Sequence, residues 1–467
     1  MCGILGIISY NDNKVGLPQG QRALDAVRHR GPDDEGYLLA NTRQGIAIPC
    51  GGQDTDGRLA LPGLEQYYGG SYDLILGHRR LSIIDLSPAG HQPMSAAQGQ
   101  YWLVFNGEIY NYVELRQELE RKGYTFVSQT DTEVILASYQ AWGEECLHRF
   151  NGMWAFLLYD RGNQKLFAAR DRFGVKPLYF YHQPGHFLAF ASEIKQFTFL
   201  PGWQARIKPQ RIYDFLVHGL FDHTAETTFD GVQQLRGGEC LYLYLPLSQD
   251  KPPQIYRWYF LKGAANSVLT MDQAAPEVLE LLSDSVRLRL RSDVPVGSCL
   301  SGGLDSSGIV CLVNRLLRQQ NSHHLQKTFS SCFDIAIYDE RPFIEIVNRF
   351  TEAESYYTFP SLEELFLTLD NIAWHQDEPF ASTSMYAQWS VFQLAAANGV
   401  KVMLDGQGAD ELLAGYSNFY GALFAGLFLR GRWLPLLAEL VAYKRINSQN
   451  NLTWIMPQEL METNVTI

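Results

Sequence analysis

The sequence predicts an α+β layered domain followed by an α/β domain built on a doubly wound parallel sheet. Three observations lead there. Short β-type runs at 4–9, 101–105, 154–159, 165–169, 177–181 and 186–191 are interrupted by helical patterns at 19–30, 112–122 and 132–141, the mixture expected of packed α and β layers. From about residue 271 the rhythm changes to helix (275–291), strand (294–300), helix (304–317), strand (328–333) and helix (340–350). Helices at 362–375 and 386–397 and a strand at 400–404 follow. Such alternation implies parallel strands with crossover helices, and a ligand at the carboxyl ends of the strands.

The length, 467 residues, fits two to three domains. We take 2–205 as the first domain, ending near the proline-marked stretch 200–209. Residues 206–270 read as a β-rich connection (231–245 and 256–260) packing on it, and 271–467 as the second domain. With 46% hydrophobic and 19% charged residues, both can bury sizeable cores. A net charge of −12 argues against a nucleic-acid partner, which is usually met by a basic patch. The seven cysteines show no CxxC pair and no close framework, which fits a reducing compartment. No secretory leader is expected, since 4–8 is only a strand-length apolar run. The apolar stretch 421–429 is too short to cross a bilayer. The expectation is a cytoplasmic protein with no membrane partner.

Met1-Cys2-Gly3 is the first chemical signal. Once Met1 is removed, Cys2 carries a thiol and a free α-amine, and an amine titrating near ~8 can serve the neighbouring nucleophile as its base. Further on, Asn106-Gly107-Glu108 follows the run 101–105. A side-chain amide beside a glycine N–H can form an oxyanion hole, although Asn-Gly is ordinarily a turn. Arg80 could hold a carboxylate bidentately and Asp131 an ammonium. Taken separately, each reads first as a surface ion pair or a helix N-cap.

In the second half, Ser301-Gly302-Gly303-Leu304-Asp305-Ser306-Ser307 lies between a strand and a helix. Glycines allow a tight turn that presents N–H groups to an anion at a helix N-terminus. Asp305 suits Mg²⁺ bridging phosphate oxygens. The lysine of a P-loop is absent. A second loop, Asp405-Gly406-Gln407-Gly408-Ala409-Asp410-Glu411, follows the strand at 400–404, and Asp410 could share that metal. Asp339-Glu340 reads as the acidic start of a helix.

The Ser301–Ser307 loop resembles the pyrophosphate loop of the N-type ATP pyrophosphatases. Cys2, Arg28-His29-Arg30-Gly31-Pro32-Asp33, Arg80-Leu81-Ser82-Ile83, Asn106 to Asn111 and Asp131 resemble the class II, N-terminal nucleophile glutamine amidotransferases. The stretches Arg170 to Tyr179 and Ala191-Ser192-Glu193-Ile194-Lys195 extend the match. From Met1 to about Tyr416 the chain is similar to the glutamine-hydrolysing asparagine synthetases. The resemblance implies an αββα first domain in which Cys2 attacks glutamine and Asn106 with Gly107 holds the oxyanion. Arg80, Leu81, Ser82, Ile83, Ile84, Glu108 and Asp131 would bind the glutamine. Leu300, Ser301, Gly302, Gly303, Asp305, Ser306, Ser331, Asp405 and Gly406 would bind ATP. Asp305 and Asp410 would carry Mg²⁺, and Gln407 would sit at the acyl-adenylate step. Ammonia would pass inside the protein to an adenylated carboxylate, aspartate in the best-known members. A homodimer is implied by analogy.

Two departures qualify this. Asp405-Gly406-Gln407 stands where aspartate-using members resemble Ser-Gly-Glu, which leaves the acceptor open. No Arg-x-Pro-Phe-Leu-Asp-like segment or following catalytic lysine occurs after Tyr416; Lys444-Arg445 reads as a solvated helix end, and the second domain is expected to be incomplete at its C-terminus. A glutaminase or regulatory remnant is therefore one alternative. A hexosephosphate amidotransferase would not need the Ser301–Ser307 loop, and a non-enzymatic binding module would not need Cys2 beside a free amine.

Overall fold

The computed structural model describes residues 1–10, 15–248, 252–262, 269–319, 326–335 and 339–446; residues 447–467 lie outside them. Two antiparallel sheets form the first body. One has seven strands in the order Val232–Gln234, Tyr179–Gln183, Phe187–Ala191, Gly3–Ser9, Leu74–Arg80, Asp34–Asn41 and Ile46–Cys50. The other has six: Gln254–Arg257, Glu239–Tyr244, Lys165–Arg170, Gly152–Asp160, Tyr101–Ile109 and Met94–Ala96.

Period-two geometry sorts each strand's residues between two apolar layers. Ile4 and Ile8 point between the sheets, against Val104, Leu157, Tyr159 and Leu166. Leu5 and Ile7 point outward with Leu24 of the Leu17–Asp25 helix and Phe197 of the Ile194–Phe199 turn. On the far side, Leu115 and Leu119 of the Tyr112–Arg121 helix and Val134 and Ile135 of the Asp131–Trp142 helix cover Leu103, Phe105 and Phe156. The result is the four-layer αββα arrangement, and it explains why the Gly3–Ser9 strand is buried at every position: a strand covered on both faces reads as a continuous apolar run. At Gly6 the two sheets come close together, because a Cβ there would lie 2.4 Å from Leu157 Cδ1.

The second body carries a four-stranded parallel sheet ordered Glu354–Thr358, Lys327–Ser331, Val296–Cys299, Val402–Leu404. The chain enters at Val296–Cys299, adds two strands on one side, then crosses to the other. The loops leaving Val296–Cys299 and Val402–Leu404 therefore meet at the topological switch point, where open α/β sheets bind ligands.

Two boundaries that bear on the site differ from the sequence reading, and one apolar segment is divided. The strand read at 101–105 continues through Asn106 and Gly107 to Ile109, because nine ladder positions with Gly152–Asp160 hold it extended. The helix read at 19–30 stops at Asp25 and resumes as a 3-10 turn, Arg28–Arg30. The apolar segment Ala409–Leu429 has the length and mean hydropathy (1.4) of a membrane-crossing helix, but Ala414 at φ 56° ends the Ala409–Leu413 helix and Asn418 begins another.

Candidate active sites

Strand pairing delivers the nucleophile. Gly3 pairs with Arg79, which sets Cys2 beside the chain just beyond that strand, where the Leu81 N–H donates to Cys2 Sγ at 3.4 Å. Arg30 Nε donates to the Cys2 carbonyl at 2.9 Å. Cys2 opens into a cavity lined also by Arg80, Leu81, Ile83, Ile84, Asn106, Gly107, Glu108 and Asp131. These residues come from four separate stretches of chain. Asn106 is fully buried, and neither its amide nitrogen nor its oxygen has a partner. A buried amide left unpaired costs roughly 1–3 kcal/mol, so its donor is held in reserve. Gly107 can only be glycine, since a Cβ would lie 2.2 Å from the Met153 carbonyl oxygen and 2.7 Å from Trp154 Cα.

Burial dominates the electrostatics. The Met1 amine, drawn into the cavity while the residue as a whole stays 53% exposed, is lowered to about 5 by desolvation. Desolvation and then the neighbouring Asp131 charge raise the Glu108 carboxyl to about 7. Asp131 is raised to about 6 by burial, against a 2.9 Å hydrogen bond from the Ile109 N–H. Thr130 caps the helix that carries it, accepting from the Glu133 N–H.

Two predicted residues sit differently. Ser82 does not line the cavity, its N–H being bound by Asp33 Oδ2 at 2.8 Å. Arg80 does line it, but its guanidinium donates to the carbonyls of Ile84, Asp85 and Ser87, so it shapes the loop rather than presenting a free fork. Gln92, Thr132 and Lys176 line the same cavity and went unassigned. Gln92 braces the wall, accepting from Phe105 N–H at 2.7 Å and donating to Thr132 Oγ1 at 3.2 Å. Lys176 is buried, and desolvation lowers it to about 8; its sequence signal is its place in the Arg170 to Tyr179 stretch, amid the apolar Val175, Pro177 and Leu178.

At the switch point, Ser301 and Ser306 hydroxyls lie 3.0 Å apart, and the Ser301 N–H donates to Ser306 Oγ at 3.2 Å. Gly302 turns the chain at φ 85°. The second loop packs directly on the first: a Cβ on Gly406 would be 3.1 Å from Ser306 N and 3.2 Å from Asp305 Cβ. Leu300 is buried, and the buried Ser331 hydroxyl has no partner. Asp405 accepts from Gln388 Nε2 at 3.1 Å, and Gln407 is exposed. The Tyr416 phenol is raised first by its hydrogen bond to Glu411, with smaller contributions from Asp410 and Asp305. Among the described residues no group of three His, Cys, Asp or Glu could hold a metal. Two carboxylates fit Mg²⁺ that arrives on a nucleotide and keeps phosphate and water ligands.

Fold and site together define a two-part protein: an N-terminal-nucleophile glutamine amidotransferase body joined to an α/β body with a nucleotide-type loop. Comparison with known proteins agrees. The family model described as glutamine amidotransferase domain matches residues 63–253, and the one described as asparagine synthase matches 277–464. The chain is 32% identical over 432 residues to a putative asparagine synthetase [glutamine-hydrolyzing] 2 of Methanocaldococcus jannaschii, covering 89% of this chain and 76% of that protein. It is 33% identical over 424 residues to asparagine synthetase [glutamine-hydrolyzing] 1 of Bacillus subtilis, covering 89% of this chain and 59% of that one. Amidase chry2 of Gibberella zeae is 28% identical, with 90% and 60% covered. The chain thus spans about three quarters of the first relative and about three fifths of the other two. It belongs to the family of glutamine-hydrolysing asparagine synthetases.

Proposed function

We propose that this protein is an ATP-dependent amide ligase that takes its nitrogen from glutamine. After removal of Met1, the Cys2 thiolate attacks the glutamine side-chain carbonyl, and its own α-amine passes the proton to the departing ammonia. The Asn106 amide N–H and the Gly107 N–H take the oxyanion. Glu108 and Asp131, with the Arg80-braced loop, hold the amino-acid end. Water then releases glutamate from the thioester. The observation that carries this reading is the fully buried, unpartnered Asn106 amide in the cavity that Cys2 opens into. A buried amide so placed supplies a donor without reorganisation when charge develops.

Ammonia moves within the protein to the switch point, since in water it would be protonated and lose its lone pair. There the acceptor carboxylate attacks the α-phosphorus of ATP, releasing pyrophosphate, and ammonia displaces AMP from the acyl-adenylate. Ser301, Gly302, Gly303, Ser306, Ser331 and Gly406 bind the nucleotide, and Asp305 and Asp410 would hold Mg²⁺, which would neutralise phosphate charge. Aspartate is the leading acceptor, giving asparagine in the cytoplasm, with a homodimer as the working assembly. Gln407 favours a second reading, a different carboxylate acceptor, because the position lacks the family's carboxylate. Pyrophosphate release with glutamine and a panel of amino-acid acceptors tests both. Release with aspartate supports the first reading, release with another acid the second, and a flat response to every acceptor refutes ligation in favour of glutamine hydrolysis alone.

A further inference from the structure

Behind Cys2 a chain of buried charges runs from the nucleophile's own backbone into the second body. Arg30, whose Nε holds the Cys2 carbonyl, donates through Nη1 to Glu193 Oε1 at 2.8 Å. His29 Nε2 meets the same oxygen at 3.0 Å. Lys195 Nζ pairs with the other Glu193 oxygen and reaches Asp377 Oδ1 at 2.9 Å. Asp377 Oδ2 accepts from the Ile194 N–H at 2.6 Å. The side chains of Arg30, Glu193, Lys195 and Asp377 are each 10% exposed or less. Asp377 ends the Leu362–Gln376 helix of the second body at φ 62°. Rings of that helix clasp the same spot: Trp374 and His375 lie 4.9 and 4.7 Å from the His29 ring, and Lys195 Nζ sits 4.5 Å over Trp374.

Burial alone would raise the Glu193 carboxyl, but the His29 hydrogen bond and the charges of Arg30 and Lys195 outweigh it and hold it at about 2. Glu193 therefore stays ionised and keeps Arg30 aimed at Cys2. Lys195 is the member shared between bodies, because it has Glu193 on one side and Asp377 on the other. Past Asp377, the turn leads to the Ser384–Ala397 helix, whose Gln388 holds Asp405 of the switch-point loop.

We propose that Glu193, Lys195 and Asp377 are positioning residues that make the placement of Cys2 depend on docking of the second body's Asp377 turn. This rests on Cys2 being the glutamine nucleophile, and it adds that the nucleophile's geometry is completed from the other body. Ion pairs fully out of water are the ones whose loss is felt, since the remaining partner is left uncompensated.

The test uses the full chain and steady-state glutamine hydrolysis. Lys195→Met should lower kcat at least tenfold while KM moves less than threefold, and Lys195→Arg should restore kcat to within threefold of the parent. Asp377→Asn, on the other body, should give the same kcat-selective loss. The double variant should lose no more than either single one, as members of one chain do. If Lys195→Met does not fold, Asp377→Asn decides alone. A folded Lys195→Met or Asp377→Asn with kcat within twofold of the parent overturns the proposal, as does fully multiplicative loss in the double variant. Cys2→Ala separates the two layers: hydrolysis surviving that change would remove the nucleophile reading itself.

Discussion

The glutamine cavity and the switch-point loops both gather polar side chains, yet they are built in opposite ways. The walls of the first are strand residues locked by ladders, joined by a helix start and a braced loop, with Asn106 fully buried and Glu108 and Asp131 each under 10% exposed. Their protonation is shifted chiefly by loss of water. The second is open: Leu304 beside Asp305 is 93% exposed, and Leu412 beyond Asp410 is 86% exposed. Its donors are a glycine turn and serine hydroxyls that hydrogen-bond to each other. A neutral amide brings little charge of its own, so the site acting on it must be dry and arranged beforehand. A nucleotide brings several charges, and a loop that meets them at a helix N-terminus can organise around the ligand.

That contrast can be broken at several points. The largest effect belongs to the nucleophile: Cys2→Ala should cut glutamine hydrolysis by at least ~10³-fold and leave any synthesis driven by added ammonia intact, measured as glutamate release and as amide product. Equal loss of both activities would tell against two separate sites. Asn106→Ala removes one prearranged donor and should cost ~10²–10³-fold in kcat, with binding of glutamine nearly unchanged; a loss confined to KM would contradict its role. Asp305→Asn should weaken Mg²⁺-dependent ATP binding about tenfold, ~1.4 kcal/mol, as read by calorimetry, without altering glutamine hydrolysis.

The smallest effect concerns stability. The Glu108 carboxyl is raised from 4.5 to about 7 in the folded protein, so its contribution is fully present below pH 4.5 and is lost as pH rises through 7. Glu108→Gln should therefore gain about 1–3 kcal/mol on the parent between pH 5 and pH 8, seen as a difference in urea midpoints. Equal midpoint shifts for the two proteins would mean the carboxyl is not desolvated as described.

Much of this was legible in the sequence where chemistry is tied to short motifs. Cys2, Asn106-Gly107, Asp131 and the Ser301–Ser307 loop each stand in a local pattern with a physical reason, and the structure brings the first three to one cavity. The strand-helix alternation after residue 271 likewise announced a parallel sheet. Strands such as Leu74–Arg80 and Asp34–Asn41 were not legible. Their buried His78, Arg79, Asp34 and Glu35 read as surface residues until the partners that satisfy them are known; Arg79, for example, pairs with Glu35 and Asp54. Arg80 misled for the same reason: its engagement with the carbonyls of Ile84, Asp85 and Ser87 is a property of loop shape, invisible to residue type. Lys176 lies inside the Arg170 to Tyr179 match, yet residue type alone does not say whether a lysine fills a pocket or leaves it.

The pairing of Gly3 with Arg79 carries a last consequence. Successive residues of a strand face opposite sides of the sheet, so sliding that segment by one position would turn the sulfur toward the wrong layer altogether. A slip of register would thus remove the attacking atom from the cavity outright. Variation that tunes this catalyst acts within that register, through the walls of the cavity and through contacts such as the one Arg30 makes with the Cys2 carbonyl.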